Sequence, residues 1–257
     1  MARVDRLRVY PIKGLDGIDL ERAEFVAGGT LTFDREFALV DASGDVVNGK
    51  RTTRVHDIET EFDPESGELA VESDGGDRRQ FDLENEREAA EDWFSEVFGL
   101  ELTLERDRSL GFVDRREMGP SVISTATLET VAAWFDDLTV ESVRRRMRAN
   151  VEISGVEPFW EDRFVGSGTP SFVADDVRFD GVTPCGRCVV PKRDPDTGEA
   201  LPEFQRRFVE KRRETFPEWA DGDAFDHYYT LMLIADVPER YRDRTLEVGD
   251  SVEIVEK

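Results

Sequence analysis

The chain has 257 residues, 58 acidic against 34 basic, with a formal net charge of -24 at pH 7. That length buries a substantial core and accommodates two modest domains, and so acidic a surface repels nucleic acid and anionic membranes, so neither is expected as a partner. Only Cys185 and Cys188 carry thiols, too few for a four-thiolate zinc or iron–sulfur centre, and a zinc site would have to recruit His56 and His227, the only histidines.

Residues 1 to about 100 read mainly as strands. RLRVYPI sets Leu7 and Val9 against Arg6 and Arg8, then breaks at Lys13-Gly14. After DGIDLERAEFV and the Gly28-Gly29 turn, FALV is a short apolar strand and ASGD a hairpin turn. IETEFDPESGELAVES repeats strand, turn and strand, with Ser66-Gly67 at the bend. A helix is predicted from about Glu86 to Phe98. Asn85 can cap it, Glu88 takes the reciprocal position, Ala89, Ala90, Trp93, Phe94, Val97 and Phe98 form an apolar stripe, and Gly99 stops it. A boundary falls between Gly99 and Gly119, giving domains 1–100 and 101–257. That charged stretch holds one good strand pattern, Leu100 to Leu104.

Further on, VISTATLETVAAWFDD places Ser124 or Thr125 before an amphipathic helix with Leu128, Val131, Ala132 and Phe135. The free N–H groups of a helix start can hold a phosphate, and ordinary capping explains the same residues. Arg144, Arg145 and Arg146 read as solvated charges at a helix end, VEISG as a strand and turn, and Phe159, Trp160 and Phe164 as packing residues. LPEFQRRFVEKRRETF is a helix with Phe204 and Phe208 on one face. YYTLMLIAD is a buried strand and LEVGDSVEIVE a terminal one.

Between these lies TPCGRCVVPKRDPDTG, residues 183–198, which holds both cysteines and ends in a tight turn. Positive charge from Arg187, Lys192 and Arg193 favours a thiolate, the form that reacts and binds soft metals. C-x-x-C alone is equally a buried pair, a disulfide or half a zinc site. A thioredoxin-like pair is disfavoured, because prolines interrupt any helix opening after Cys188.

This segment resembles the C-x-R-C...D-P-D-T-G signature of the MOSC family, the molybdenum cofactor sulfurase C-terminal domain proteins. The branch concerned includes the bacterial hydroxylaminopurine-detoxifying protein and the mitochondrial amidoxime-reducing component. VYPIKGLDG and LTFDREFALVDASGDVVNGK are similar to that branch's N-terminal patterns, MRANVEISGVEPFWEDRF to its R-F-R-x-N...P-[FY]-x-E-D-x-[FW] stretch, and LEVGDSVEIVE to its terminal strand. One departure is Gly14, where the family often has serine. The resemblance implies a mainly β fold with peripheral helices, a MOSC-type β-barrel plus a smaller N-terminal β-rich domain. It implies Cys188 as the molybdenum ligand and catalytic centre. Arg148 and Asn150 would anchor a molybdenum-pterin cofactor, with Lys13, Arg35, Ser124 and Thr125 as lesser contacts.

By the same resemblance the chemistry is oxygen-atom transfer, reducing an N–O bond in a small N-hydroxylated compound. No cysteines remain for an iron–sulfur module, so electrons would come from a separate donor such as ferredoxin or a flavin reductase. A cofactor carrier or a sulfur-transfer protein using a Cys188 persulfide is the main alternative, and a structural zinc protein a distant one. Lysine occurs only at Lys13, Lys50, Lys192, Lys211 and Lys257. With the carboxylate excess, that points to a halophilic protein of a salt-rich cytoplasm, where salt screens surface repulsion. No signal peptide or transmembrane run is visible, which also makes the cytoplasm the expected location.

Overall fold

Val4, Leu7 and Val9 are the buried residues of β1 (Arg3–Val9), although Val4 and Leu7 are out of phase for a simple strand. A bulge between Val4 and Arg6 restores the phase by slipping the register one residue against a neighbouring strand. The computed structural model describes residues 1–114 and 119–256. After β1 come β2 (Ile18–Leu20), β3 (Arg22–Glu24) and β4 (Phe37–Asp41). The hairpin of β5 (Ile58–Phe62) and β6 (Glu68–Ser73) turns at the expected Ser66-Gly67, and β7 (Arg79–Asp82) extends it to three strands. Helix α1 (Arg87–Phe98) and β8 (Leu102–Arg106), paired with β4, complete this part.

Beyond it lie β9 (Ser121–Ser124), α2 (Thr125–Ala133), α3 (Val140–Met147) and β10 (Val151–Ser154). Then come β11 (Ser171–Ala174), β12 (Val177–Gly186), α4 (Phe204–Glu214), β13 (Thr230–Asp236), β14 (Thr245–Glu247) and β15 (Val252–Val255). The protein is predominantly β with peripheral helices.

The large sheet runs β15-β11-β12-β13-β9-β10-β1-β2. It curls into a barrel, because the Val4 N–H donates to the Asp250 carbonyl (2.9 Å) and the Val252 N–H to the Ala2 carbonyl (3.0 Å). Closure removes the open edges that a sheet of this size would otherwise expose. β1 and β2 are strands of this barrel, so it is built from both ends of the chain. Its interior holds Phe164, Phe172 and Phe179, the last two stacked at 4.8 Å. A second core joins β4 to β8 and α1 through Phe37, Leu39, Trp93, Phe94 and Leu104. A third lies under α2, α3 and α4, where Val131, Val143, Phe204 and Phe208 pack on Ile123 and Leu231.

Two capping expectations divide. Ser124 does cap α2, its hydroxyl accepting from the Thr127 N–H at 3.1 Å. Asn85 does not cap α1. Its amide donates to the Asp82 carboxylate (2.6 Å) in the preceding turn, and the cap position falls on Glu86 with no side-chain bond. Gly99 ends α1 as expected, in the left-handed region at φ 63°. Ala89 is exposed, so the buried stripe is Ala90, Trp93, Phe94 and Phe98. Among the described residues no helix is long and apolar enough to cross a membrane.

Candidate functional site

Near the end of β12 a register slip between Pro184 and Gly186 sets Cys185 at an irregularity; pairing resumes at Gly186 with Thr230, and the Arg187 N–H donates to the Tyr229 carbonyl (2.8 Å) just before Cys188. A 3₁₀ turn at Val190–Lys192 follows, with Pro191 at its start. The Asp194 side chain then nucleates the expected turn, accepting from the N–H groups of Asp196 (3.0 Å) and Thr197 (3.1 Å). Gly198 closes it at φ 69°, where a Cβ would stand 2.7 Å from Cδ2 of His56. Glycine is therefore required twice over, by backbone and by space.

Arg146 holds this segment from α3. It is buried and donates to the carbonyls of Pro191 (3.1 Å) and Arg193 and to the Asp194 carboxylate (3.1 Å). The expectation of a solvated helix-end charge fails at Arg146, because its guanidinium satisfies loop carbonyls that no strand partner reaches. Arg144 likewise turns inward, to the buried Glu152 at 2.7 Å.

The two cysteines are free and partly exposed. Cys185 Sγ accepts from Nη1 of Arg187 at 3.1 Å, while Cys188 Sγ faces the Val190 N–H at 3.4 Å. Arg187 also donates to the Met147 carbonyl (3.0 Å), and its buried Nε has no partner among the described residues. The Tyr229 hydroxyl is likewise buried and unpartnered. Burial pushes it up to about 12, with Arg187 opposing and Cys188 adding to the shift.

A second wall comes from the N-terminal stretch. Tyr10 lies beneath two guanidinium groups, Arg148 at 3.9 Å and Arg35 at 5.2 Å from its ring centroid. Both arginines adopt left-handed backbone, φ 57° and 56°, which costs a residue with a Cβ and persists only where the surroundings over-determine it. For Arg148 that conformation terminates α3; for Arg35 it puts the N–H on the Tyr10 carbonyl at 2.8 Å. Arg35 is paired with the buried Asp34. The Arg148 guanidinium donates to the Leu15 carbonyl (2.7 Å), and burial pulls its pKa down to about 10, leaving it cationic at neutral pH.

These walls enclose one cavity of ≈ 860 Å³ lined by Lys13, Arg35, Arg148, Asn150, Cys185 and Cys188, together with Lys50, His56, Arg187 and Arg193. Ser124 and Thr125 do not line it. The start of α2 instead faces a carboxyl group of this chain, Glu161, whose Oε2 accepts from the Ser124 N–H (3.3 Å) and the Thr127 hydroxyl (3.1 Å). Asn150 lines the cavity, but its amide also ties the sheet together: Oδ1 accepts from the Ser121 N–H (3.1 Å) and hydroxyl (2.9 Å), and Nδ2 donates to the Arg8 carbonyl (3.1 Å). Gly14 adopts φ 97°, with Cβ of Asn48 2.8 Å from where its own Cβ would lie. Serine there would be strained and crowded.

Most basic groups around the cavity are matched with acids, as Arg8 is to Asp19, Arg35 to Asp34 and Arg145 to Asp196. Arg148, Arg187 and Arg193 are different: among the described residues they bond carbonyls and a sulfur but no carboxylate. In a chain with 58 acidic residues, three guanidinium groups left without an acid in one cavity constitute a site of positive charge. Also among the described residues, no three His, Cys, Asp or Glu side chains gather as a metal cage, so His56 and His227 do not join the cysteines in a zinc site. Arg187 and Arg193 were legible as charge near the thiols; His56 was legible only as a possible zinc ligand.

The fold and site thus define a β-barrel protein with a cation-lined cavity beside a free thiol. The chain belongs to the MOSC family: the MOSC N-terminal beta barrel domain matches residues 1–141 and the MOSC domain residues 115–253. A molybdenum cofactor sulfurase of Oryza sativa subsp. japonica is 22% identical over 244 residues, covering 75% of this chain. The chain spans only 28% of that rice protein. A crystal structure of the YuaD protein of Bacillus subtilis aligns with 12% identity and a TM-score of 0.45, covering 100% of this chain and 96% of that one.

Proposed function

We propose that the cavity holds a molybdenum-pterin cofactor and that the protein is an oxidoreductase reducing N-hydroxylated compounds. This reading places the chain in the MOSC branch of the hydroxylaminopurine-detoxifying and amidoxime-reducing proteins. The observation that carries it is the set of three arginines, Arg148, Arg187 and Arg193, that bond no carboxylate among the described residues, around the cavity that Cys188 also lines. The residues fit the group. An anionic cofactor supplies the charge these guanidinium groups lack, and the ≈ 860 Å³ cavity leaves room for a substrate beside it. A metal that arrives on an organic cofactor needs a single protein thiolate and no cage of side chains.

In this reading Cys188 provides that thiolate, and Arg148 and Arg35 clamp the anionic end from across Tyr10. Arg187 holds Cys185 in place by donating from Nη1 to its sulfur. Bound there, the cofactor supplies two-electron oxygen-atom transfer. The overall reaction breaks one N–O bond, consumes two electrons and two protons and releases water. The electrons come from a separate donor such as ferredoxin or a flavin reductase. The name of the rice relative favours a second reading, a cofactor carrier or sulfur-transfer protein with a persulfide on Cys188.

The test is turnover of a hydroxylamino-base by the loaded protein with a reduced dye. Cys188→Ala should abolish it while Cys185→Ala retains part. Equal activity in the two folded variants would reject the assignment. A wild type that carries cofactor yet turns over nothing would favour the carrier reading.

A further inference from the structure

Seven acidic residues line the cavity, and five of them are engaged. Asp34 pairs with Arg35, Glu61 with Arg78 and Asp196 with Arg145, and Asp114 takes both Lys13 and Lys50 at 2.7 Å. Oδ2 of Asp16 accepts the Thr60 N–H (3.4 Å) on the open edge of β5 and so ties that strand to the cavity wall. Glu59 of β5 and Glu72 of β6 are left over. They stand directly opposite each other across the hairpin, both exposed, and among the described residues neither carboxylate has a hydrogen bond or an ion pair. Like charges in that register weaken a strand pair, so the hairpin carries a cost with no structural return. His56, two residues before β5, adds an acceptor to the same wall. Its Nδ1 lies 3.2 Å from the Pro195 carbonyl, which can only accept, so in the neutral ring Nδ1 holds the proton and Nε2 is an acceptor. Nε2 is buried and has no partner among the described residues. This wall therefore offers acceptors and negative charge, whereas that of Arg148, Arg187 and Arg193 offers donors and positive charge.

We propose that Glu59 and Glu72 form a subsite for a protonated amine carried by the substrate, so that the cavity admits N-hydroxylated compounds bearing a second, cationic nitrogen. The inference rests on the reading of the cavity as a reductive site and adds to it which molecules enter and in which direction. An anionic cofactor neutralises the arginines, and the charge then left uncompensated in the cavity is that of the two glutamates. An ammonium group is drawn to them and kept from the guanidinium wall, which leaves the N–O end of the molecule toward the cofactor and Cys188. It also stands between two carboxylates that otherwise repel, so binding relieves the repulsion across the hairpin. An anion of the same size meets the opposite: it is repelled here and attracted only where the cofactor already sits. A contact pair that ligand binding partly buries is screened little, so the preference persists in salt that mutes surface charges.

The experiment uses the cofactor-loaded full chain at about 0.1 M salt, where a charge reaches about 10 Å. Two phenylhydroxylamines are compared as substrates, one with a para aminomethyl group and one with a para hydroxymethyl group, and benzylamine and benzyl alcohol serve as binding probes in calorimetry. Wild type should show a KM about tenfold lower for the aminomethyl compound with similar kcat, and should bind benzylamine about tenfold more tightly than benzyl alcohol, each carboxylate contributing about threefold. In Glu59→Gln/Glu72→Gln, which removes the charge and keeps the shape, both differences should vanish and the protein should be no less stable to denaturant. Glu72→Gln alone should lose about threefold, which keeps the test informative if the double variant folds poorly. Equal KM values and equal probe binding in wild type, or differences that survive in a folded variant, overturn the proposal. Benzylamine binding that depends on Glu59 and Glu72, in a protein that reduces neither hydroxylamine, would leave the subsite standing and overturn the reductive reading instead.

Discussion

Arg212 and Arg148 are both set over aromatic rings, Arg212 at 4.4 Å from Phe159 and Arg148 at 3.9 Å from Tyr10, yet the chain treats them differently. Arg212, on α4, is fully buried and bonded to the buried Asp162. Arg148, at the end of α3, opens onto the cavity and, among the described residues, hydrogen-bonds no carboxylate. In one place the protein supplies the counter-charge itself, and the result is a closed structural joint between α4 and the 3₁₀ turn at Trp160–Phe164. In the other the acids, Asp16 and Asp34, act on the cation only through space, and it faces a cavity. A buried cation without an acid is costly unless something else arrives to balance it.

The contrast breaks first at Arg212. Arg212→Ala should cost about 3–5 kcal/mol of stability by stranding the buried Asp162, read from denaturant unfolding. A loss near zero would mean that the joint is not closed. Arg148→Ala should change stability by no more than about 1 kcal/mol, because no buried acid is left behind.

The next largest effect concerns pH. Glu161, beside Asp162, is raised from 4.5 to about 8, first by burial and then by the neighbouring carboxylate. The folded state thus holds a proton that the unfolded state releases. The stabilisation is complete below pH 4.5 and is lost as pH rises through about 8. Unfolding free energy should fall by about 2–4 kcal/mol across that window in wild type, and Glu161→Gln should remove the slope. An equal slope in the variant would assign it to other groups.

The smallest effect per group belongs to the surface. The 58 acidic residues should make wild type more stable in about 1 M than in about 0.1 M potassium chloride, as screening shortens the reach of repulsion. Arg212→Ala should gain the same increment, its site being out of contact with salt. Stability unchanged between the two concentrations would remove the inference of adaptation to high salt.

Much of this molecule was legible in the order of its residues. Alternation and turn chemistry announced β1, the β5–β6 hairpin and the Asp194 turn, since those depend on neighbours in the chain. The N-cap of α1 and the burial of Arg146 were not legible. Asn85 had a competing partner in Asp82, and Arg146 answers carbonyls more than forty residues away. Lys13, Arg35, Arg148 and Cys188 were named from motifs, and the fold brings all of them to one cavity. Ser124 and Thr125 were named from a helix start whose occupant, Glu161, lies 37 residues from Ser124. Asp114 carried no local signal, because its meaning comes from two lysines that only the fold assembles.

The central claim is that the arginines without carboxylates are there for an anionic cofactor, and the most direct measurement is molybdenum and pterin content. Protein purified from a molybdenum-replete host should carry about one of each per chain, with little zinc, and folded Arg148→Ala should retain less than about a tenth of that load. Wild type without pterin from such a host, or Arg148→Ala with the full complement, would contradict the account.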